Sequence, residues 1–398
     1  MQPEASPFTP GQPVPPEFFV GRVTEIERLR NMVRASIRGR FKVGFVTGER
    51  GIGKSSLVAF VRRLGELEDA IVGTHVFLGG ATDLKDLARR TFDRILKESI
   101  DKAWYEKIKT LFGDHVRKVG LFGASIELNV SADDLDALVR DFVPSLRRLL
   151  QQLKGERKAL LLIFDDINGL ADSLEFANWL KSTVDQIATE NQPFPVALFV
   201  VGLEERWQSL IKLQPSLARI FDVVEIKPWS DSETEKFYQD SFQKTAVVKL
   251  QDNALKMMVG YTGGFPVIAH EIGDAVWRVA EGKEITEDNA SEGIAYAAEI
   301  IGRKFLEPQV LQALRSERYR SILRKLMDDP LFSSFQRSDI RKMLSPEENK
   351  VFGNFLNRMK KLGVIKTDND AKQGSYRFTN QLYHFYFFME SMSRGEKQ

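Results

Sequence analysis

The sequence predicts an α/β fold in which a parallel sheet covered by helices is followed by two smaller units. Between residues 42 and 226, short apolar runs alternate with amphipathic helical segments, the pattern of a parallel sheet with helices on both faces. From Ser230 the pattern is helical, and near the C-terminus two short β segments, 364–367 and 375–378, flank a polar loop. We therefore expect a large α/β domain, a helical domain and a small C-terminal domain.

Composition excludes several kinds of site. The 398 residues include no cysteine, which excludes disulfides, thiol catalysis and cysteine-bound zinc and is compatible with a reducing cytoplasm, where we expect the protein to act. The four histidines are far apart in sequence and show no metal-ligand spacing. No apolar run approaches the roughly 18 residues that span a bilayer, so we expect no membrane partner.

A glycine-rich loop is the strongest motif in the chain. Residues 48–55, GERGIGKS, fit the pattern G-x-x-x-x-G-K-[ST] at every required position. An apolar segment, 42–47, precedes the loop and predicts a buried strand, while 56–61 predicts the first turns of a helix. Loop N–H groups and the helix dipole together favour an anion at this place. The predicted nucleotide-binding residues here are Gly48, Glu49, Arg50, Gly51, Ile52, Gly53, Lys54, Ser55 and Ser56.

Two of these side chains have predicted chemical roles. Lys54 can reach the β- and γ-phosphates of a nucleotide, and the Ser55 hydroxyl can join a Mg²⁺ shell. A second acidic motif lies downstream, where the apolar run 159–164 predicts a central strand that ends in Asp165 and Asp166. Ligands of open α/β sheets bind at such strand ends. Asp165 is therefore predicted to hold Mg²⁺, directly or through water, and Asp166 to orient an attacking water; alternatively, Asp165 merely caps a loop.

The remaining patterns set the predicted domain boundaries. Residues 1–16 form a proline-rich N-terminal segment, which we expect to be extended or disordered. Residues 17–229 form the nucleotide-binding domain, with an insertion at about 101–130. Residues 230–309 form a helical lid, and residues 310–398 form a winged-helix domain in which three helices are followed by the two β segments.

The order of these motifs resembles that of AAA+-type ATPases of the STAND and archaeal-ATPase kind, whose relatives include origin-recognition-type initiator ATPases. Phe19-Val20-Gly21-Arg22 is similar to the adenine-side motif of that family, and Gly264-Phe265-Pro266 is similar to its Gly-x-Pro lid motif. Gly48–Ser55 and Asp165-Asp166 match Walker A and Walker B. The resemblance implies a P-loop NTPase sheet of order 5-1-4-3-2 with a lid and a winged helix, ATP or ADP with Mg²⁺ as cofactors, and nucleotide contacts at residues Phe19, Val20, Gly21, Arg22 and Pro266.

Departures from the family pattern concern hydrolysis. The family usually has Glu where this chain has Asp166, and the fourth strand ends at Gly202 without a polar sensor residue. Arg219 stands where an arginine finger is often found, although it could equally be a surface residue at a helix end. Arg278 and His270 are alternative candidates for a second sensor. With Lys54, Asp166 and Arg219 as the catalytic set, we expect slow hydrolysis.

The sequence leaves two main functions open. In the first, ATP and ADP hold different arrangements of lid and winged helix, and the change controls self-assembly or a protein partner. In the second, the winged helix binds DNA, because residues 310–398 contain 17 Lys and Arg against 10 Asp and Glu. A solvated basic surface also explains that charge, and Glu347 and Glu348 at the start of the third helix would repel phosphates. A metabolic kinase is disfavoured, since no acceptor site is evident.

Overall fold

The computed structural model forms two compact units, residues 13–227 and residues 1–12 together with 228–398. The structure describes residues 6–12, 19–99, 105–106, 109, 116–119, 125–128, 131–243, 249–280, 284–312, 314, 316–327, 334–368 and 371–395.

A parallel sheet of five strands forms the centre of the first unit. The described strands of this unit are β1 (Lys42–Gly48), β2 (Val72–Phe77), β3 (Val116–Val119), β4 (Ser125–Leu128), β5 (Leu160–Asp165), β6 (Val196–Val201) and β7 (Asp222–Ile226). The sheet order is β2-β5-β6-β1-β7. Counted along the chain, these strands have the order 5-1-4-3-2, so the predicted α/β fold and sheet order are confirmed. Strands β3 and β4 pair only with each other, within the predicted insertion, most of which lies outside the described residues.

Strand composition explains this sheet. Every residue of β5 and of β6 is buried, which is why their sequences, LLLIFD and VALFVV, are apolar without alternation. Helices cover the sheet, and Phe45, Phe164 and Leu198 lie in one apolar core with residues of these helices. The helices with described bounds in this unit are α1 (Val23–Ile37), α2 (Lys54–Glu68), α3 (Leu84–Ser99), α4 (Ala132–Arg140), α5 (Phe142–Leu153), α6 (Leu174–Thr189), α7 (Glu204–Leu213) and α8 (Leu217–Ile220), with a short 3₁₀ turn at Ile167–Gly169.

The carboxyl ends of the parallel strands lie at the same edge of the sheet. Asp165, the last residue of β5, is in register with Phe77 at the end of β2 and with Val201 at the end of β6. Gly48, the last residue of β1, is in register with Ile226 at the end of β7. The loops that follow β1, β5 and β6 therefore leave the sheet from the same edge.

The second unit is mainly helical. The helices among its described residues are α9 (Asp231–Gln243), α10 (Asp252–Thr262), α11 (Pro266–Val279), α12 (Glu287–Ile301), α13 (Glu317–Lys325), α14 (Arg337–Met343), α15 (Pro346–Lys361) and α16 (Gln381–Gly395), and a π-helical stretch, Gly302–Leu311, continues α12. Strands β8 (Lys249–Leu250) and β9 (Glu284–Ile285) form a short parallel pair. Strands β10 (Ser334–Gln336), β11 (Ile365–Thr367) and β12 (Ser375–Phe378) form an antiparallel sheet of order β10-β12-β11. The two predicted C-terminal strands are thus accompanied by a third, β10.

Residues 6–12 differ from the expectation of an extended or disordered lead-in. The side chain of Phe8 is only 4% exposed and packs edge-on against Phe237 and Phe242, with ring centroids 5.8 and 5.0 Å away. The same ring fills the space beside Gly273, where a side chain would collide with it. One buried phenylalanine therefore attaches this proline-flanked segment to the helical unit, an effect that composition alone does not reveal.

Candidate functional site

The loop between β1 and α2 has a backbone that requires glycine. Gly51 and Gly53 have left-handed φ angles of 77° and 94°, and Gly53 is the residue immediately before helix α2. At Gly48, φ is 148° and an added Cβ would lie 2.6 Å from the carbonyl oxygen of Ile226. The three glycines allow the chain to turn tightly from strand to helix, which leaves the N-terminus of α2 at the carboxyl edge of the sheet.

The ammonium group of Lys54 is held against this loop. Its Nζ donates hydrogen bonds to the carbonyl oxygens of Gly48 and Glu49, at 2.9 and 2.8 Å. Burial lowers the pKa of Lys54 to about 8, while the charges of Asp165 and Asp166 oppose that shift. The amine is thus a partly desolvated cation, which a phosphate group would favour in its protonated form.

Asp165 lies at the end of β5 with only 2% of its surface exposed. Among the charged groups that act on the pKa of Lys54, it has the largest effect, so the two predicted Walker residues belong to one electrostatic site. Nε2 of His75, in β2, lies 2.8 Å from Oδ2 of Asp165. No sequence motif predicts a role for His75. Its only sequence signal is that it lies two positions before the end of a strand adjacent to β5.

Asp166 is exposed at the mouth of the site. Its backbone is left-handed, with φ 59° and ψ 55°, and its Oδ1 accepts a hydrogen bond from the amide of Asn168. Gly79, after β2, is close enough that an added Cβ would lie 2.8 Å from Oδ2 of Asp166. The carboxylate therefore projects from the strand end between two loops, where a water molecule can reach it.

Glu204 is a further carboxylate near the loop that our sequence analysis missed. It is the first residue of α7, and its Oε2 accepts a hydrogen bond from the hydroxyl of Thr47 at 3.1 Å. Thr47 immediately precedes Gly48. The prediction noted only that β6 ends without a polar residue; the short connection from β6 to α7 brings Glu204 back to β1, three residues after that strand end.

The segment Phe19-Val20-Gly21-Arg22 lies beside the same loop. Arg22 is 5% exposed and donates from its guanidinium to the carbonyl oxygens of Lys227 and Ile52, the latter at 3.4 Å. Phe19 stacks on Phe60 of α2, with ring centroids 4.8 Å apart and an interplanar angle of 15°. Val20 and Gly21 are partly exposed between these anchors, where their backbone groups are available to a ligand.

Other predicted residues are not brought to this site within the first unit. Arg219 is exposed on α8, before the first residue of β7, and so lies at the opposite end of the sheet from the loop. Pro266 belongs to the second unit, where it is the first residue of α11. Of the two candidates for a second sensor, Arg278 pairs with Asp274 at 2.9 Å and His270 accepts a hydrogen bond from the backbone of Thr9.

The donor set at the loop fits Mg²⁺ that arrives with a nucleotide. Within the described residues, no group of three or more His, Cys, Asp or Glu could hold a metal ion by itself. The predicted metal ligands, Ser55 and Asp165, carry a hydroxyl and a carboxylate, and Mg²⁺ in phosphate sites takes its other ligands from water and phosphate. None of the described helices combines the length and apolar character needed to cross a membrane.

The order of the parallel sheet and the glycine-rich loop after β1 are those of the P-loop NTPase fold. Residues 19–199 match the family model described as an AAA ATPase domain. This match covers a little under half of the chain. A comparison with curated protein sequences found no match.

Solved structures share this fold over nearly the whole chain. The ORC2 protein of Aeropyrum pernix, in its ADPNP–ADP complexes, superposes with a TM-score of 0.59 at 16% identity, covering 95% of this chain and 96% of that one. A Walker-type ATPase of Pyrococcus abyssi gives a TM-score of 0.56 at 15% identity, covering 93% and 96%. The ADP form of A. pernix ORC2 gives 0.52 at 14% identity, covering 97% and 96%. At these identities the likeness concerns the fold alone.

Proposed function

We propose that this chain is an ATPase that binds ATP or ADP with Mg²⁺, hydrolyses ATP slowly and uses the bound nucleotide as a switch of the STAND kind. The observation that carries the proposal is the position of Lys54, which lies against the glycine loop with Asp165 acting on its charge. A cation at a helix N-terminus beside a buried carboxylate suits a Mg²⁺–triphosphate. The ADPNP–ADP complexes of the structurally similar ORC2 protein support this choice of ligand.

Each part of the site has a task in this proposal. Loop N–H groups and Lys54 bind the phosphates, while Arg22 keeps the adenine-side segment attached to the loop at Ile52. Ser55 and Asp165 would hold Mg²⁺, which neutralises charge on the phosphate oxygens when it is bound. Asp166 orients the attacking water.

We expect slow turnover because a single chain has a short water-orienting side chain, Asp166, and, among its described residues, no arginine finger at its own nucleotide site. Asp166 is one methylene shorter than glutamate, and it also accepts a hydrogen bond from Asn168. Arg219 lies at the other end of the sheet, so we propose that it acts on the nucleotide of a neighbouring copy. An arginine finger supplied by a second molecule contributes about 10³–10⁵ in rate where it has been measured. Self-assembly would then accelerate hydrolysis, which suits a switch.

The proposed switch operates through the second unit. Gly263 and Gly264 have left-handed φ angles of 59° and 75°, and Pro266 begins α11 directly after them. The backbone N–H of Trp229 donates to the carbonyl oxygen of Gly264 at 2.9 Å, which joins this turn to the first residues of the unit. We propose that the turn responds to the nucleotide and changes the arrangement of the helical lid and the winged helix, with a coupling of about 1–3 kcal/mol.

Calorimetry tests the binding step. Lys54→Ala removes the phosphate-binding cation and should weaken ATP binding more than ADP binding. Lys212→Ala, on the exposed side of α7, removes one positive charge from the same unit and should leave both affinities unchanged. Unchanged ATP affinity in a folded Lys54→Ala protein would contradict the assignment.

Hydrogen exchange across residues 228–398 tests the switch. The unmutated protein should show different protection with saturating ATP analogue and with ADP, and Pro266→Ala should reduce that difference while both nucleotides still bind. Identical protection of the unmutated protein in the two states would favour a static scaffold with a structural nucleotide. Sedimentation in the same states measures self-assembly.

DNA binding by the C-terminal domain is a second candidate, and one contact favours it. Glu348 is 6% exposed and binds Lys325 at 2.7 Å; hydrogen bonds from Lys325 and Ser321 lower its pKa to about 2. The negative charge of Glu348 is therefore compensated by Lys325, so Glu348 repels a DNA phosphate less than the sequence suggests. Basic residues at the end of α15 and around the C-terminal strands are Arg358, Lys360, Lys361, Lys366, Lys372 and Arg377.

Salt dependence decides between this candidate and a solvated basic surface. DNA affinity should fall steeply as the salt concentration rises. In the double variant Lys360→Ala, Lys361→Ala, the slope of log affinity against log salt concentration should become shallower by about 0.9 for each phosphate that the protein no longer neutralises. Lys212→Ala again serves as the control. No DNA affinity at low salt, or no effect of the double change, would exclude the use of this surface.

A further inference from the structure

His75 is a buried histidine at the edge of the candidate nucleotide site with no role in the proposal above. It lies in β2, an outer strand of the sheet, and its side chain is 5% exposed. Its Nε2 is 2.8 Å from Oδ2 of Asp165. Burying an imidazole against a carboxylate at the carboxyl edge of the sheet is costly unless the two groups satisfy each other.

Strand register brings the two side chains together. His75 is paired with Ile163 and Phe77 with Asp165, so His75 is two positions before the partner of Asp165. Residues two apart on neighbouring strands project from the same face of a sheet and are within reach of long side chains. The imidazole also stacks on the ring of Phe77, with centroids 4.4 Å apart and an interplanar angle of 18°. Stacking against a face of the ring and the hydrogen bond at its Nε2 edge together fix the orientation of the imidazole.

The hydrogen bond has a defined direction when Asp165 is ionised. A carboxylate can only accept, so Nε2 must carry the proton and donate to Oδ2. One oxygen of Asp165 is thereby engaged, which restricts the rotation of the carboxylate that would hold Mg²⁺. A carboxylate held through one oxygen has fewer orientations, so less entropy is lost when the metal binds.

We propose that His75 is a positioning residue for Mg²⁺: it holds the carboxylate of Asp165 in the orientation that the metal–nucleotide complex requires. The inference rests on the proposed nucleotide function of the loop and assigns the residue that prepares its metal ligand. Groups that orient metal ligands in this way typically contribute about 10–100-fold to metal affinity or activity.

Two variants of similar bulk separate the hydrogen bond from the packing. His75→Phe keeps a ring that can stack on Phe77 but has no donor, and His75→Gln keeps a donor without the ring. ATP affinity is measured by calorimetry with excess Mg²⁺ and with a chelator. For the unmutated protein, Mg²⁺ should increase ATP affinity. In His75→Phe this increase should fall by about tenfold, with the Mg²⁺-free affinity unchanged, and His75→Gln should recover part of it.

A double-mutant cycle identifies the partner. His75→Phe should have no further effect on Mg²⁺ dependence when Asp165 is already replaced by alanine, because the two residues act as a unit. If His75→Phe does not fold, His75→Met supplies another side chain without a donor. A purely structural role predicts instead equal losses of affinity with and without Mg²⁺, together with a lower thermal stability.

The possible failures are distinguishable. If the unmutated protein binds ATP with Mg²⁺ and His75→Phe, or His75→Met in its place, keeps the full Mg²⁺ dependence, only the role of His75 is overturned. The role of His75 is also overturned if the losses of Mg²⁺ dependence caused by the changes at His75 and Asp165 add up in the double mutant. If the unmutated protein binds no ATP under either condition, the proposed function is wrong and the inference falls with it.

Discussion

The backbone N–H of Thr9 donates a hydrogen bond to Nδ1 of His270 at 3.1 Å, which joins residues 261 positions apart in the chain. His270 lies in α11, is 5% exposed and packs edge-on against the ring of Phe8 at 6.1 Å between centroids. An accepting Nδ1 requires the neutral imidazole with its proton on Nε2. The attachment of the N-terminal segment therefore depends on the protonation state of one histidine.

This dependence predicts that acid weakens the helical unit. Burial lowers the pKa of His270 from 6.5 to about 4, so between these values the unfolded chain binds more protons than the folded one. The stabilisation is complete above pH 6.5 and is lost as the pH falls toward 4, by at most about 1.4 kcal/mol per pH unit. Hydrogen exchange of residues 252–280 at a series of pH values measures it. In His270→Gln, the stability of this region should depend less on pH between 4 and 6.5. An unchanged pH dependence would mean that another group is responsible.

Phe8 should contribute most of the attachment. Phe8→Ala deletes a buried ring and leaves a cavity beside Gly273. If residues 6–12 stay attached, the free energy of unfolding should fall by about 3 kcal/mol. If detachment costs less than the cavity, residues 6–12 should instead separate from the helical unit. Protease cleavage between residues 6 and 18 and denaturant unfolding measure the two outcomes. Leu67→Ala, on the exposed face of α2 with 64% of its side chain accessible, is the matched control and should change stability by less than about 0.5 kcal/mol. If Phe8→Ala resists protease and denaturant as well as Leu67→Ala does, packing of Phe8 does not attach residues 6–12 to the helical unit.

The carboxylates Asp166 and Glu204 should differ in their effect on hydrolysis. Asp166→Asn removes the group predicted to orient water, so kcat should fall by about 10-fold or more while ATP binding persists. Glu204→Gln should change kcat much less, because an amide oxygen can still accept the hydrogen bond from Thr47. Phosphate release under saturating ATP measures both. A larger loss in Glu204→Gln than in Asp166→Asn would transfer the role to Glu204.

Lys54 should couple ATP binding to proton uptake. Since its pKa is about 8 without ligand, part of the population carries a neutral amine at and above this pH. Phosphate favours the ammonium form, so ATP affinity should fall as the pH rises above 8, by at most about tenfold per pH unit. Calorimetry in buffers of different ionisation enthalpy measures the protons taken up. Lys54→Arg stays charged and should show no uptake; equal uptake by both proteins would mean that another group titrates.

The sequence predicted the parts of the site that depend on local pattern. The loop motif requires neighbouring residues in a fixed spacing, and Asp165 follows an apolar run whose burial is readable directly. His75 and Glu204 escaped prediction because their roles arise from contacts across strands: His75 meets Asp165 90 positions later, through parallel pairing of β2 with β5. Residues 6–12 escaped it for another reason. Their glycine and proline content indicates a linker, whereas one aromatic side chain decides their packing.

The position of residues 6–12 also determines how the protein can be divided. The unit that contains the parallel sheet is continuous, from residue 13 to residue 227, whereas the helical unit is assembled from two separate lengths of chain. A fragment that starts at residue 228 would lack Phe8 and expose the apolar surface of Phe237 and Phe242. Covalent addition of residues 6–12 to that fragment, or their supply as a peptide, would restore the missing piece of its core. A change at Phe8 therefore acts first on the helical unit, although residues 13–227 of the other unit follow it in the sequence.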